Sequence, residues 1–358
     1  MNKKISNIIS FILTPLFILI LSFQYKVCTN CVNPITVNAH PNIEVYPGGQ
    51  PIGVKLNTKG ALVVALSDVQ CEDGKECCPG SDCGIRVGDS IVKINNKEVT
   101  SCEQISEEVV HSDGKELNLL IERKGNLINR KIKPQKSYSE DKYKIGLWIR
   151  DSTAGIGTLT FYDPKHKKFG ALGHAITDMD TGNILKVRDG EIISSSIISI
   201  KKGVKGEPGE LKGIFVNEES TLGNIKSNTN CGIFGECDKI EVSKKFNKPL
   251  KVAYRNEIKP GNAKVLTTIN GGEPELYDIK IQQLLPQDSP GPKSMVIKIT
   301  DKRLLDKTGG IIQGMSGSPI IQDNKLVGAV THVLVNKPDV GYGVYIEWML
   351  KDAKIISK

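Results

Sequence analysis

Residues 309–322 read GGIIQGMSGSPIIQ and place two serines and four glycines around two short isoleucine runs. β-Branched runs of this length are typical of short buried strands, and Gly-Ser sequences are typical of the tight turns between them. Glycine also lets a backbone come close to another group, as a nucleophile turn requires at a substrate carbonyl. The stretch therefore predicts a strand, a turn and a second strand, and it makes Ser316 and Ser318 candidate nucleophiles.

The sequence around this stretch is β-like from residue 144 onward. About ten short apolar runs follow one another with turn residues between them, and a helical pattern, GYGVYIEWMLKDA, closes the chain. Many short strands with few helices indicate a β-barrel or a sandwich. A polar stretch, KPQKSYSEDKYK, precedes these runs, so we place the start of this mainly β domain at residue 136 and its end at residue 358.

A second β-rich unit precedes that boundary. Residues 84–99, GIRVGDSIVKINNKEV, resemble the core of a PDZ domain, in which a Gly-Asp turn feeds two strands that end in an Asn-rich hairpin. PIGVKL, residues 51–56, resembles that domain's carboxylate-binding loop. The resemblance implies a PDZ domain over residues 42–135 that binds a peptide by strand addition, with Ile52, Gly53 and Val54 lining the groove.

The N-terminus has the pattern of an export signal. MNKK precedes an almost unbroken apolar run over residues 8–23, and no small-residue cleavage site follows. We therefore predict an uncleaved signal anchor over residues 1–26, which attaches the chain to a membrane, and a linker over residues 27–41. By the positive-inside rule the lysines stay in the cytoplasm and the remainder is exported.

Composition excludes some function classes. The chain has 358 residues and a formal charge of +8, and its lysines are scattered among acidic residues. No basic helical stripe or aromatic RNA-reading motif is present, so a nucleic-acid partner is not expected. We also predict no cofactor and no metal.

The nine cysteines leave the redox state open. An exported chain can oxidise its thiols, and an odd count leaves at least one unpaired. Cys231 and Cys237, in CGIFGEC, could close a short loop. The cluster CEDGKECCPGSDC has no paired C-x-x-C spacing and no nearby histidine, which makes zinc a weak alternative to free or locally paired thiols.

A serine nucleophile needs a base, and only five histidines are available. His40 lies in the linker and His111 on the PDZ helix, His166 belongs to a charged turn, and strand alternation would set His332 beside apolar neighbours. His174, in ALGHAITD, ends an apolar strand between small residues, where its ring can face a cleft. We therefore predict that His174 is the base.

The base needs a group that holds its tautomer. Asp178, Asp180, Asp301 and Asp306 are the candidates, and Asp301 is favoured because a residue that ends a buried strand is better fixed than one in a turn. The predicted order is then His174, Asp301, Ser316, as in chymotrypsin-type barrels. GMSGSP is similar to the serine turn of that group, which implies an oxyanion hole from the N–H groups of Gly314 and Ser316. Ser318 remains the competing nucleophile.

The combined motifs resemble the SpoIVB-type serine peptidases of endospore-forming bacteria. GIGTLTFYD, GALGHAI, TDKRLL, GGIIQGMSGSPIIQ and GAVTHVLVN carry the resemblance, which covers nearly the whole chain after the anchor. It implies a PDZ domain before a chymotrypsin-like double β-barrel, and it carries the family's triad onto the three residues chosen above.

The resemblance also implies a role and a location. Family members are signalling endopeptidases secreted from the forespore into the space between the two spore membranes, and they process themselves. They cut a membrane-bound regulator, which releases an intramembrane protease that matures the late mother-cell sigma factor. The alternatives are an HtrA-type quality-control protease, in which the PDZ unit follows the peptidase, and a membrane-tethered PDZ scaffold that has lost activity.

Overall fold

The structure is a computed structural model, and it describes residues 41–71, 74–216, 220–238, 240–241 and 243–357. The predicted signal anchor and nearly all of the predicted linker lie outside these residues. No helix in the described ranges is both long enough and apolar enough to cross a membrane.

The described residues confirm a mainly β chain. The first ten strands are β1 Glu44–Pro47, β2 Pro51–Leu66, β3 Val69–Gln70, β4 Glu76–Cys77, β5 Ser90–Ile94, β6 Lys97–Glu98, β7 Leu117–Arg123, β8 Asn126–Ile132, β9 Gln135–Lys136 and β10 Tyr143–Lys144. The next six are β11 Leu147–Asp163, β12 Lys168–Ala171, β13 Val187–Lys201, β14 Glu210–Phe215, β15 Thr221–Thr229 and β16 Gly232–Glu236. The last seven are β17 Leu250–Val252, β18 Gly261–Thr267, β19 Glu275–Leu284, β20 Met295–Ile299, β21 Pro319–Gln322, β22 Lys325–Leu334 and β23 Lys337–Tyr345.

Helices are few and short in the same ranges. The α-helices are α1 Pro79–Asp82, α2 Cys102–His111, α3 Lys302–Thr308 and α4 Ile346–Asp352, and two 3-10 helices span Lys244–Phe246 and Arg255–Glu257. Asp301 is the N-cap of α3, where its carboxylate accepts the N–H of Arg303 at 2.9 Å, and Gly309 is the C-cap in the left-handed conformation. Both are typical helix ends, because an N-cap carboxylate binds a free N–H and glycine adopts a positive φ without strain.

Six antiparallel strands close the first barrel. In order around it, β2 pairs with β11, β11 with β12, β12 with β16, β16 with β15, β15 with β13, and β13 with β2. Its interior is filled by apolar side chains, including Ile52, Leu159, Phe169, Ile192 and Ile233. Closure leaves no free strand edge around the barrel.

The second barrel has the same number of strands. Here β18 pairs with β19, β19 with β20, β20 with β23, β23 with β22, β22 with β21, and β21 with β18. Val265, Ile279, Ile297 and Val330 belong to its buried core. The pairings agree with the double β-barrel that the sequence analysis predicted.

A third apolar core belongs to the PDZ part of the chain. It collects residues from the second half of β2, from β5, β7 and β8, and from helix α2. Ser101 caps α2 by accepting the N–H of Gln104 at 3.2 Å, and Ile105 and Val109 of the helix are buried in this core. The division differs from the predicted one, because β1 and the first half of β2 pair with barrel strands although they precede the PDZ core in the chain.

Candidate active site

The serine turn lies between helix α3 and strand β21, and it is held by a strand of the other barrel. Thr158 of β11 donates its N–H to the Ser316 carbonyl at 3.0 Å and its hydroxyl to the Gly314 carbonyl at 2.7 Å. Thr160 donates its hydroxyl to the Gly317 carbonyl at 2.7 Å. These bonds give the threonines of GIGTLTFYD a structural role, since they fix the turn from outside its own barrel.

Two glycines shape the turn. Gly314 and Gly317 have φ values of 93° and 95°, which L-residues with a side chain rarely adopt. A Cβ on Gly317 would lie 2.2 Å from the Thr158 carbonyl oxygen, so the backbone approaches β11 more closely than any side chain allows. The turn that the sequence predicted is therefore present, and glycine is required at its centre.

His174 comes from the first barrel. It follows β12 after two residues with positive φ, Leu172 and Gly173, and a Cβ on Gly173 would lie 3.1 Å from the Val330 carbonyl oxygen. That close approach brings the histidine turn against β22 of the second barrel. The Nδ1 of His174 lies 2.8 Å from the Ala175 carbonyl oxygen. Because a carbonyl only accepts, Nδ1 carries the hydrogen, and Nε2 of the neutral ring carries the lone pair.

Burial keeps the ring of His174 neutral. It lowers the pKa of His174 below its ordinary value, and the bond to the Ala175 carbonyl opposes that effect only in part. A neutral imidazole with a free lone pair at Nε2 is the form that a general base needs.

The structure brings His174 and Ser316 to one cleft between the barrels. The cleft has a volume of about 620 Å³, and Gly314 and His332 also line it. The described side chains that line it include no Asp, Glu, Lys or Arg; apolar ones, among them Val54, Ile156, Leu172, Ile176 and Ile184, form most of the wall.

Ser316 is in a resting orientation. Its Oγ donates to the Thr331 carbonyl at 2.9 Å and makes no hydrogen bond to His174. The N–H groups of Gly314 and Ser316 have no acceptor within the described part of the chain, whereas that of Gly317 binds the Val330 carbonyl at 2.8 Å. Two neighbouring free donors at a serine turn are suited to bind an oxyanion.

The structure does not bring Asp301 to this cleft. Its carboxylate accepts the Arg303 guanidinium, with Oδ2 2.8 Å from Nη2, and it accepts the backbone N–H of Asp278 at 3.1 Å. The bond from Arg303 holds the pKa of Asp301 down to about 2. The side chain thus serves as the N-cap of α3, and it makes no contact with His174 that would orient the ring.

His332 is the residue that the sequence reasoning missed. Its ring centroid lies 4.9 Å from that of His174, with 42° between the ring planes. Simple alternation placed it among apolar neighbours, but the pairing of β22 with β23 shifts register between Val330 and Val333. Such a bulge re-aims a side chain, which is how His332 reaches the cleft. Burial first, and then the electrostatic effects of His174 and Lys293, lower the pKa of His332 to about 4.

The other polar candidates have different partners. Ser318 is fully buried and donates to the Thr267 hydroxyl at 2.9 Å. Asp178 binds Arg150, with 2.6 Å between Oδ2 and Nη1, and closes the turn that follows it. His166 pairs with Asp163, with Nδ1 2.5 Å from Oδ2, outside the cleft.

The remaining described candidates do not line the cleft either. Among the residues that line the cleft, neither Asp180 nor Asp306 appears, and Asp180 instead pairs with Arg150. His111 is exposed on helix α2, and His40 lies outside the described residues.

The groove expected at Ile52, Gly53 and Val54 is not formed there. These residues pair with Gly155–Gly157 of β11 on one side and with Ile192–Ser194 of β13 on the other. Ile52 is fully buried and Val54 nearly so. A strand with both edges paired has no donor or acceptor to offer a peptide, so this expectation is corrected: the segment is part of the first barrel.

The second half of β2 is also paired with a strand of the chain itself. Leu62–Leu66 pair with Leu147–Arg150 of β11, and Asp151 accepts the N–H of Cys102 near the start of α2 at 2.7 Å. The side chains of Leu147 and Ile149 pack against the PDZ core. A peptide that adds to this edge must displace the chain's own strand.

Six cysteines within the described ranges are free thiols, namely Cys71, Cys78, Cys83, Cys102, Cys231 and Cys237. Cys231 and Cys237 flank β16, so the short loop expected between them is replaced by an extended strand. Six residues of strand span roughly 20 Å, far beyond the ~7 Å that a disulfide bridges between Cα atoms. The expectation of that loop is corrected, and Cys28 and Cys31 lie outside the described residues.

Similarity to known proteins is strongest at the level of families. The family model described as "SpoIVB peptidase S55" matches residues 141–350, and a PDZ domain model matches residues 72–123. A curated Clostridium acetobutylicum protein, whose name places it among the zinc metalloproteases, is 36% identical over 69 residues. That match covers 19% of this chain and 20% of the relative, so the chain spans about a fifth of the relative's length.

The solved structures that resemble this chain share little sequence identity with it. The PDZ domain of the SdrC-like protein Lmo2051 from Listeria monocytogenes is 16% identical, covers 25% of this chain and 87% of that chain, and has a TM-score of 0.21. The active form of the Rv3671c protease from M. tuberculosis is 12% identical, covers 57% of this chain and 74% of that chain, and has a TM-score of 0.31. The S55 model, by contrast, matches more than half of this chain, with the PDZ match before it. The chain therefore belongs to the SpoIVB peptidase S55 family, and it carries a PDZ domain before the peptidase match.

Proposed function

We propose that the chain is a serine endopeptidase of sporulation signalling in which Ser316 is the nucleophile and His174 is the general base. One observation carries this proposal: Ser316 and His174 come from different barrels and line the same cleft, beside the free N–H groups of Gly314 and Ser316. A nucleophile, a neutral base and two donors at one place are the parts that acyl transfer requires.

The reaction begins from the resting orientation of the serine. Rotation of Ser316 about its Cα–Cβ bond takes Oγ from the Thr331 carbonyl toward Nε2 of His174. Oγ then attacks the substrate carbonyl carbon while its proton passes to Nε2, and the oxyanion is bound by the free N–H groups of Gly314 and Ser316. The protonated His174 gives that proton to the leaving amine as the C–N bond breaks. Water then replaces the amine: His174 takes a proton from the water as its oxygen attacks the carbonyl carbon of the ester on Ser316, and the proton passes to Oγ as the ester C–O bond breaks.

The wall of the cleft favours uncharged substrates. A charged side chain that enters it exchanges water for apolar surface without gaining an opposite charge from the lining residues, at a cost of several kcal/mol. We therefore propose that the residues on either side of the cleaved bond are uncharged, with an apolar one beside Ile176 and Ile184. Proteomic peptide libraries analysed by mass spectrometry measure this preference directly.

Our proposals for the substrates and the location rest on the family membership and not on the cleft. We propose that the chain processes itself near its N-terminus, and that it cuts the extracytoplasmic part of a membrane-bound regulator in the space between the forespore membranes. Cleavage of that regulator releases an intramembrane protease. The apolar run over residues 8–23 and the membership of the S55 family support this role. The position of the PDZ match before the peptidase match speaks against the HtrA-type alternative.

The test compares Ser316→Ala with Ser318→Ala in the full-length chain. Each purified protein is incubated with a fluorophosphonate reporter and with denatured casein, and self-cleavage is followed by mass spectrometry. We expect Ser316→Ala to lose the label and at least about 10⁴-fold of the cleavage rate, while Ser318→Ala keeps both. Cleavage that persists in Ser316→Ala would rule out Ser316 as the nucleophile. A wild-type chain that neither labels nor cleaves would favour the alternative of a PDZ scaffold without peptidase activity.

A further inference from the structure

Strand β14 has one open edge beside the active-site cleft. Its inner edge pairs with β13, from Ser195 to Lys201 of that strand. Its outer edge has a single parallel bridge, between Glu210 and Gln313, and no other strand in the described ranges pairs with β14. An unpaired strand edge is a template for a further strand, so the outer edge of β14 is a candidate binding surface.

Hydrogen bonds at the two ends of β14 show which backbone groups face outward. Leu211 donates its N–H to the Gln313 carbonyl at 2.9 Å, so this N–H points away from β13. Val216, just after the strand, donates its N–H to a carbonyl of β13 at 2.8 Å. Alternate residues of an antiparallel strand point their N–H and C=O groups toward the partner and away from it. Those of Gly213 and Phe215 therefore lie on the outer edge, where the described residues offer them no partner.

This open edge begins at the wall of the cleft. A Cβ on Gly314 would lie 2.9 Å from the Cβ of Leu211, so Leu211 packs against the turn that carries the proposed oxyanion donors. A Cβ on Gly213 would lie 2.6 Å from the Cδ1 of Ile156. Ile156, Gln313 and Gly314 all line the cleft. The edge thus continues outward from the place where a substrate meets the nucleophile.

The side chains next to this edge are apolar and exposed. Ile214 and Val216 lie on the opposite face from the buried Leu211, and they are 52% and 42% exposed. The pairing of β13 with β14 shifts register at Ile198, so this residue is the extra one of a β-bulge, and it is 63% exposed. A strand added at the edge would cover apolar surface as well as backbone groups.

The length of the edge indicates what can occupy it. From Leu211 to Phe215 it measures roughly 13 Å, at about 3.3 Å per residue, and so accepts about four residues of an added strand. A second copy of the chain paired at so short an edge would bury far less than the ~800 Å² per partner of a stable dimer. A substrate chain held at Ser316 needs no such area, because the cleft anchors it and the edge binds only its continuation.

We propose that the outer edge of β14 binds the substrate chain, on one side of the cleaved bond, as an added strand. The proposal deepens the peptidase function proposed above and rests on it. The N–H and C=O groups of Gly213 and the N–H of Phe215 bond to the substrate backbone, and every second substrate side chain packs beside Ile214. Backbone bonds tolerate any side chain, whereas the apolar face favours apolar ones. The preferred substrates are therefore extended segments that continue with apolar residues beyond the cleft.

Two substitutions at Phe215 isolate its outward N–H. Phe215→Pro and Phe215→Ala both remove the ring, but only proline removes the N–H, which makes no bond to β13. For each full-length protein, the rate of denatured casein cleavage is divided by the rate of fluorophosphonate labelling, which reports Ser316 without a peptide chain. We expect this ratio to be about tenfold lower for Phe215→Pro than for Phe215→Ala, because the long chain loses a hydrogen bond that the reporter never makes.

Ile214→Glu tests the apolar face by the same ratio. The side chain is exposed, so the substitution leaves the core intact and places a charge where apolar substrate residues would pack. We expect the ratio to fall about fivefold or more. Leu127→Glu, at an exposed leucine of β8, is the matched control and keeps the wild-type ratio.

Binding without chemistry separates this edge from the nucleophile. In a Ser316→Ala background, fluorescently labelled denatured casein is titrated with Phe215→Pro and with Phe215→Ala, and we expect about tenfold weaker binding by the proline variant. This measurement remains valid if the wild-type chain neither labels nor cleaves. That result would count against the peptidase function, whereas the binding difference reports the edge.

Two results would overturn the proposal while leaving the nucleophile assignment intact. Equal ratios and equal casein affinities of Phe215→Pro and Phe215→Ala would show that the substrate does not bond to the edge. A ratio of Ile214→Glu within about twofold of the wild-type value would show that no substrate chain passes over this face. If both Phe215 variants prove too unstable to purify, Ile214→Glu decides the outcome.

Discussion

The carboxylate of Asp301 faces the guanidinium of Arg303, with Oδ1 3.1 Å from Nε and Oδ2 2.8 Å from Nη2. Two parallel bonds of this kind satisfy both oxygens, while the backbone N–H groups of Arg303 and Asp278 add two more. A carboxylate that already accepts four hydrogen bonds would lose them by turning toward a histidine. Because Asp301 is only 8% exposed, water is not available to replace those bonds.

Replacement of Asp301 by alanine should therefore affect stability more than activity. We expect the free energy of unfolding to fall by about 1–2 kcal/mol, because the helix loses its N-cap and the pair with the largely exposed Arg303 contributes little. The labelling rate should change by less than about threefold. Urea unfolding and fluorophosphonate labelling measure the two effects, and Asp306→Ala, on the same helix, is the control that should alter neither.

Replacement of Ser318 by alanine tests the competing serine. Its hydroxyl is buried against that of Thr267, so the variant leaves one hydroxyl without its donor and should unfold with about 1 kcal/mol less free energy. Cleavage and labelling should persist. Should Ser318→Ala lose the label while Ser316→Ala keeps it, the nucleophile would be Ser318.

Gly317→Ala should disrupt the serine turn. The new Cβ would lie 2.2 Å from the Thr158 carbonyl oxygen and 2.5 Å from the Leu172 nitrogen, at a φ of 95° that alanine rarely adopts. We expect a loss of more than about 2 kcal/mol in the free energy of unfolding and a labelling rate lowered at least about 10²-fold, since the displaced turn carries both proposed oxyanion donors. Gly206→Ala is the matched control, because its φ is 86° and a Cβ there meets no atom within 4 Å. Equal effects of the two substitutions would show that backbone strain, and not the contact with β11, decides the outcome.

Acidification should destabilise the fold in a window set by His332. The pKa of His332 is about 4 in the folded chain and about 6.5 when unfolded, so the unfolded chain binds the extra proton between these values. Stability is therefore complete above about pH 6.5 and falls as the pH drops toward about 4. Calorimetry should show a smaller fall in Tm over this window for His332→Gln than for the wild type, and an equal fall would contradict the folded-state pKa.

Two buried thiols should resist alkylation. Burial raises the pKa of Cys237 to about 12 and raises that of Cys231 further, with the carboxylate of Asp352 adding to the effect at Cys231. The thiolate is the reactive form, so both should remain unmodified by iodoacetamide at pH 8 and react after unfolding in urea. Mass spectrometry without a reducing agent checks this, and a disulfide between the two would contradict the extended β16.

Local pattern was sufficient for much of the fold and part of the site. The apolar runs and turn residues from residue 144 onward predicted the barrels, because strand and turn preferences are read over a few neighbouring residues. The glycines of the serine turn and the small residues around His174 marked two positions that the tertiary structure places at one cleft. Such positions can be recognised in the sequence, because a positive φ or a close backbone approach requires glycine or another small residue at the position itself.

Pairing across the chain decided what local pattern could not. The sequence of Ile52–Val54 predicted a peptide-binding groove. In the structure both edges of this segment are paired, with β11 and with β13, which lie far along the chain. The sequence and the structure both place Asp301 at the end of a strand, but only the structure shows that Arg303 binds its carboxylate.

The sequence by itself determined a mainly β chain, the serine turn, the candidate base and the family resemblance, since each depends on short stretches of residue types. Only the tertiary structure placed His332 beside His174. A one-residue change of register reverses the face of every following side chain, and that register is set by partner strands and not by the strand's own residues.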